Sequence, residues 1–80
     1  MTDKIWNQTK QIMIEIFHQP QIEINETTTA KDIVGWDSMT HMILVARIEK
    51  HFNIEFNFEE ASAMENVGQM IKLINLKVSK

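Results

Sequence analysis

A chain of 80 residues with a formal net charge of −3 and no cysteine excludes several classes of protein at once. A chain this short forms one domain, burying only about 60% of its unfolded surface, with little material to wall in a deep substrate pocket. The acidic balance argues against nucleic acid, which needs a basic face. The missing cysteines remove disulfides, thiolate metal sites and a cysteine nucleophile.

With 44% hydrophobic residues, two glycines and one proline, the composition favours packed helices over a turn-rich sandwich. The opening residues Met1-Thr2-Asp3-Lys4 lack the basic and apolar regions of a secretory signal. No run approaches the ~20 apolar residues that cross a bilayer. The expected molecule is a cytoplasmic monomer, without nucleic acid and without stable membrane insertion.

The first helix is expected from Asp3 to Gln19. Ile5, Thr9, Ile12 and Ile16 form one stripe, flanked by Trp6, Met13 and Phe17. Thr2 or Asp3 supplies an N-cap, and Pro20 stops the helix because it disfavours helical geometry at Gln19. From Gln21 to Asp37 no helical period is sustained, so a long loop is expected, with Ile22, Ile24 and Ile33 folded back as anchors. A single turn of helix is expected near Ala30-Lys31-Asp32. Loops of this length in small domains are often functional.

A second helix starts at Asp37 or Ser38 and runs to about His51, with Asp37 as N-cap and Gly35 allowing the tight approach. Leu44, Val45, Ile48 and Phe52 make its core stripe. Met39, Met42, Ile43 and Ala46 add apolar surface beyond one face. Asn53 to Phe58 alternates polar and apolar, but no partner strand exists, so it reads as an extended connector pinned by Ile54 and Phe56. Glu59 to Met64 is a short third helix with Ala61 and Met64 inward. A last helix runs from an Asn66 cap to about Val78, burying Val67, Met70, Ile71 and Ile74, with Lys72, Lys77 and Lys80 toward its C-terminal end. The expected fold is all-α, a four-helix bundle of three longer helices and one short one, with a long loop between helices 1 and 2.

Chemistry concentrates where that loop meets the second helix. Ser38 projects from a helix N-terminus, where amide dipoles favour a phosphodiester on its hydroxyl. Asp37 stands beside it, placed to support a modifying reaction. Alone, an Asp-Ser pair at a helix start is capping chemistry. Three histidines, His18, His41 and His51, are spaced too widely for a metal site, and His41 reads as a solvated helix residue. Glu59 and Glu60 read as solvated acids of a first turn. Trp6 and Trp36 read as packing residues, with Trp36 at the loop end beside Ser38.

The string Gly35-Trp36-Asp37-Ser38-Met39 resembles the Asp-Ser-Leu signature of the acyl carrier proteins, with Met in place of Leu. The similarity continues through Leu44, Val45, Ile48, Glu49, Phe52, Ile54-Glu55-Phe56, Glu59-Glu60-Ala61 and Asn66-Val67. The resemblance implies that Ser38 carries a 4'-phosphopantetheine arm, transferred from coenzyme A by a phosphopantetheinyl transferase. It also implies that the arm's thiol passes acyl groups between loading and accepting enzymes, and that the chain itself is not an enzyme. Partner contact then falls on the second helix, at Met39, Met42 and Glu49.

Departures from the family pattern narrow this expectation. Carriers of fatty-acid synthesis have acidic residues at the positions matching Thr40 and Ile43 and a small one at that matching Arg47. The face here is less acidic and more apolar, a weaker field for charge-steered partners. A specialised fatty-acid-like, polyketide-like or surface-glycan acylation pathway is the expected setting. Alternatives are an aminoacyl or peptidyl carrier with the same serine chemistry, and an unmodified helical interaction module docking through Met39 and Met42. A small enzyme would need a base for Ser38, and His41 is the only candidate nearby.

Overall fold

The computed structural model describes residues 2–19 and 21–79, with Thr2 and Asp3 described in their backbone only. The expected cap at Thr2 or Asp3, the helix stop at Pro20 and the cation at Lys80 therefore lie outside the described residues. Four α-helices and one 3-10 turn follow in order: α1 (Thr2–Phe17), the turn Ala30–Asp32, α2 (Ser38–Phe52), α3 (Phe58–Ser62) and α4 (Val67–Val78). No strand occurs among the described residues. The all-α bundle read from the sequence is the observed fold.

Helix α1 packs against both α2 and α4. Its buried line is Thr9, Ile12, Met13 and Phe17, while Ile5, Trp6 and Ile16 are only partly covered. The expected stripe is thus rotated: Met13 and Phe17, expected on its flank, are buried, while Ile5 and Ile16 are only partly covered. Two neighbouring helices widen the covered arc toward that side. The helix ends at Phe17, two residues before the expected Gln19. His18 turns left-handed, with φ +57°, and the Gln19 amide reaches back to Ile14 O at 3.4 Å, a closure that caps the last carbonyls. Asn53 ends α2 in the same way, with φ +58° and the Ile54 amide on Glu49 O at 3.0 Å.

In α2 the core side chains are Leu44, Val45 and Ile48. In α4 they are Val67, Met70, Ile71 and Ile74, the four read from the sequence. Ala61 and Met64 point inward as expected, but α3 itself spans Phe58–Ser62 instead of 59–64. Its start is moved by Asn57, whose Oδ1 accepts the Glu60 amide at 2.7 Å while Glu60 Oε1 accepts the Asn57 amide at 2.9 Å. This reciprocal pair is a capping box. Glu60 also meets Lys77 Nζ at 3.0 Å, tying α3 to α4, so it is not the solvated acid expected.

The long loop is folded onto the bundle. Ile24 and Ile33 are buried and Ile22 is partly so. Thr29 and Asp32 cap the 3-10 turn reciprocally. Two loop carbonyls serve as acceptors for the start of α4: Val67 N donates to Thr28 O at 3.0 Å and Gly68 N to Glu26 O at 2.9 Å. These bonds satisfy amides that a helix N-terminus leaves free. They also tie the middle of the loop to α4.

Candidate functional site

The loop enters α2 through Gly35, whose φ of +94° lies in the left-handed region, where a Cβ is disfavoured. Thr40 Oγ1 donates to Gly35 O at 2.7 Å, holding that turn from the helix side. Asp37 is the N-cap. Its Oδ1 accepts the Thr40 amide at 3.0 Å, and its own amide donates to Thr40 Oγ1 at 2.8 Å. The Thr40 amide and hydroxyl hold the Asp37 carboxyl below its ordinary value of 3.8, because hydrogen bonds to the charged form favour it.

Ser38 is the first residue of α2 and is exposed. Its hydroxyl has no hydrogen-bond partner among the described residues, so the cap is built by its neighbours and leaves Ser38 Oγ available. Beside it runs a groove of about 460 Å³, lined in part by Trp36, Ser38, His41, Met42, Phe58 and Met64. A larger trough of about 940 Å³ lies elsewhere, along Trp6, Asn25, Thr27 and Lys72. It shares no lining residue with the Ser38 groove.

One wall of the groove is a bonded pair that the sequence did not reveal. Trp36 Nε1 donates to His41 Nδ1 at 3.1 Å, and His41 Nε2 stands 2.8 Å from Ala61 O. An indole N–H can only donate, so Nδ1 is the acceptor and Nε2 carries the proton given to Ala61 O. His41 is therefore not the solvated helix residue expected. Both ring nitrogens are engaged, neither with Ser38, which removes the only nearby base from a serine–histidine reading. Trp36 is buried and packs against Phe17 in a tilted arrangement, with ring centroids 5.9 Å apart. The available signal was positional: Trp36 immediately precedes the N-cap and His41 is the fourth helical residue, the spacing at which a side chain staples a helix entry.

The residues expected to meet partners divide. Met39 is 74% exposed and Met42 48%, both displayed. Glu49 is half-buried, and its Oε2 accepts the Phe56 amide at 2.8 Å, so it also pins the connector to α2. No group of three or more His, Cys, Asp or Glu among the described residues is placed to hold a metal ion. Among the described residues no helix is long and apolar enough to cross a membrane.

The profile of the family described as "Phosphopantetheine attachment site" matches residues 7–74. The chain belongs to that family, the acyl carrier proteins. The acyl carrier protein of Wolinella succinogenes is 30% identical over 70 residues, covering 88% of this chain and 92% of the relative. That of Sulfurovum sp. is 29% identical over 70 residues, covering 88% and 93%. The solution structure of a holo acyl carrier protein from Geobacter metallireducens superposes with a TM-score of 0.85 at 32% identity, covering 91% of this chain and 84% of the other. The prosthetic group that belongs to the family is covalent 4'-phosphopantetheine. The local geometry fits it: an exposed hydroxyl without a partner, at the N-terminus of a 15-residue helix, offers a phosphodiester favourable backbone dipoles.

Proposed function

We propose that residues 1–80 act as a single carrier domain on which Ser38 Oγ bears 4'-phosphopantetheine, received from coenzyme A through a phosphopantetheinyl transferase. When attached, the group supplies the thiol that holds an acyl chain as a thioester. The chain's own contribution is positional. Gly35, Asp37 and Thr40 fix the attachment point at a rigid helix start, Asp37 presents its carboxylate to the modifying enzyme, and the bundle leaves the cargo within reach of successive partners at a raised effective concentration. The protein makes and breaks no acyl bond itself.

The observation that carries this reading is the state of Ser38: first in α2, exposed, and spared from the capping hydrogen bonds around it. Met39 and Met42 form the contact for acyl-loading and acyl-accepting enzymes, with Glu49 at the far end of that helix. The sparse acidity of α2 supports a specialised acylation pathway of fatty-acid, polyketide or surface-glycan type, carried out in the cytoplasm. The test is incubation with coenzyme A and a broad-specificity phosphopantetheinyl transferase, followed by intact mass measurement. One phosphopantetheinyl group is expected on the wild type and none on Ser38→Ala. No gain, or an equal gain on both, would overturn the reading.

A further inference from the structure

Among the described residues, three side-chain bonds hold the loop end that delivers Ser38 to α2. Just beyond α1, Gln19 Nε2 donates to Val34 O at 2.8 Å. Thr40 Oγ1 donates to Gly35 O at 2.7 Å. The third bond runs from the Trp36 indole to His41 Nδ1 at 3.1 Å, with His41 Nε2 standing 2.8 Å from Ala61 O. An amide and a hydroxyl gain no proton near neutral pH, whereas an imidazole is the side chain that changes charge between about pH 5 and 8. Only the third bond can be switched by a proton, and it is the one that ties the loop end to α3.

The consequence of that proton follows from the donors and acceptors. In the neutral ring Nδ1 accepts and Nε2 donates, so a second proton lands on Nδ1. It then faces the indole N–H, donor against donor. The bond to Trp36 is lost, while the one to Ala61 O is kept and becomes charge-assisted. Trp36 is only 6% exposed, and an indole N–H stranded there is costly, so the ring must shift to find water. Its backbone lies directly ahead of the cap Asp37 and two residues before Ser38. The surrounding charges do not bar an imidazolium. Asp37 and Glu65 line the same groove as His41. In α3 Glu59 is exposed and Glu60 is met by Lys77 at 3.0 Å. In the loop, Asp32 accepts the Thr29 amide beside exposed Lys31, and His18, which follows Phe17 at the end of α1, is exposed.

We infer that His41 is a positioning residue for Ser38 and a proton switch on its modification. With a neutral ring it holds Trp36 against α2 and α3 and presents Ser38 in one place; once Nδ1 is protonated, Trp36 is released and Ser38 is presented less well. The role needs no contact between His41 and Ser38, since it acts through Trp36 and the cap. The inference rests on the carrier reading of Ser38 and adds a regulation to it.

The test has two arms, both on the full unmodified chain. In the first, NMR follows the indole N–H of Trp36, assigned by its loss in Trp36→Phe, as pH falls from about 8 to about 5.5. It should move in step with the His41 ring while the Trp6 indole stays still; a Trp36 signal indifferent to the protonation of His41 would overturn the switch. In the second, kcat/KM for phosphopantetheinyl transfer from coenzyme A is compared between wild type and His41→Gln at each pH, so that the transferase's own pH dependence cancels. Gln offers an acceptor and a donor but gains no proton. The wild-type value should fall relative to the variant by about fivefold toward acid pH, the scale of one net hydrogen bond. Trp36→Phe, which lacks the N–H, should lose the same pH dependence. A merely structural role would lower a variant equally at both ends of the range, and that flat ratio would overturn the inference. Absence of any modification at Ser38 at every pH refutes the carrier reading instead, and leaves the NMR arm to decide the switch.

Discussion

The indole N–H of Trp36 and Nδ1 of His41 meet at 3.1 Å, and this bond fixes which histidine nitrogen is left to donate to Ala61 O in α3. The loop, α2 and α3 are thereby joined through one neutral imidazole. Replacing His41 by Ala leaves a buried indole N–H and a backbone carbonyl without their partner. The expected cost is about 1–3 kcal/mol for the stranded groups, which lowers the melting temperature by roughly 4–8 °C per kcal/mol in a domain of this size. Gln, which can accept and donate from its two amide atoms, should recover part of the loss. Thermal or urea unfolding of the two variants checks this, and equal stability of His41→Ala and wild type would refute it.

Gly35→Ala tests the turn before the site. An added Cβ would meet only Phe17 Cδ1, at 3.9 Å, so space is not the obstacle. The obstacle is φ of +94°, and forcing an L-residue into the left-handed region costs about 1–2 kcal/mol. The turn positions Asp37 and Ser38, so Gly35→Ala should also slow phosphopantetheinyl transfer to Ser38. A variant that melts with the wild type would show that the turn relaxes without strain.

How legible this was depends on whether the partner lies nearby in sequence. The caps Asp37 and Asn66 and the core lines of α2 and α4 could be read because period and cap chemistry act over a few residues. Ser38 stood out only through the resemblance that continues along the following helices, since locally it reads as part of a cap. The bond from His41 to Ala61 O could not be read, because it spans 20 residues and its acceptor is a backbone carbonyl that any sequence supplies. Glu60 looked solvated for the same reason: Lys77 reaches it only once α4 has folded back. The rotation of the α1 stripe toward Met13 and Phe17 likewise depends on which two helices cover it.

The lowered pKa of Asp37 gives a signed pH dependence. A carboxyl whose folded-state pKa lies below its ordinary 3.8 stabilises the fold fully above that value and loses the contribution as pH falls through the lowered one. Asp37→Asn keeps a good N-cap side chain but has no proton to gain. The stability difference between wild type and Asp37→Asn should therefore be constant at neutral pH and shift in favour of the variant as pH falls below 3.8. Paired urea titrations from neutral to acid pH measure it. A difference independent of pH would mean that Asp37 does not hold its charged form through the Thr40 bonds.

Gly68 sets two effects against each other. In the first turn of α4, Ala is the better helix former by about 1 kcal/mol, so propensity alone predicts stabilisation. A Cβ at Gly68 would, however, lie 2.9 Å from Glu26 O and 3.2 Å from Glu26 Cβ. The nearest atom is backbone, and its carbonyl is the acceptor of the Gly68 amide itself. Relieving the overlap means moving the loop away from α4 and weakening this bond and the adjacent one from Val67 N to Thr28 O. Overpacking of this kind costs about 1–3 kcal/mol, which outweighs the propensity gain. Gly68→Ala should therefore destabilise the protein, with hydrogen exchange accelerated first at the Val67 and Gly68 amides. A rise in melting temperature would show that the loop can yield and that the strap to α4 is looser than its bonds imply.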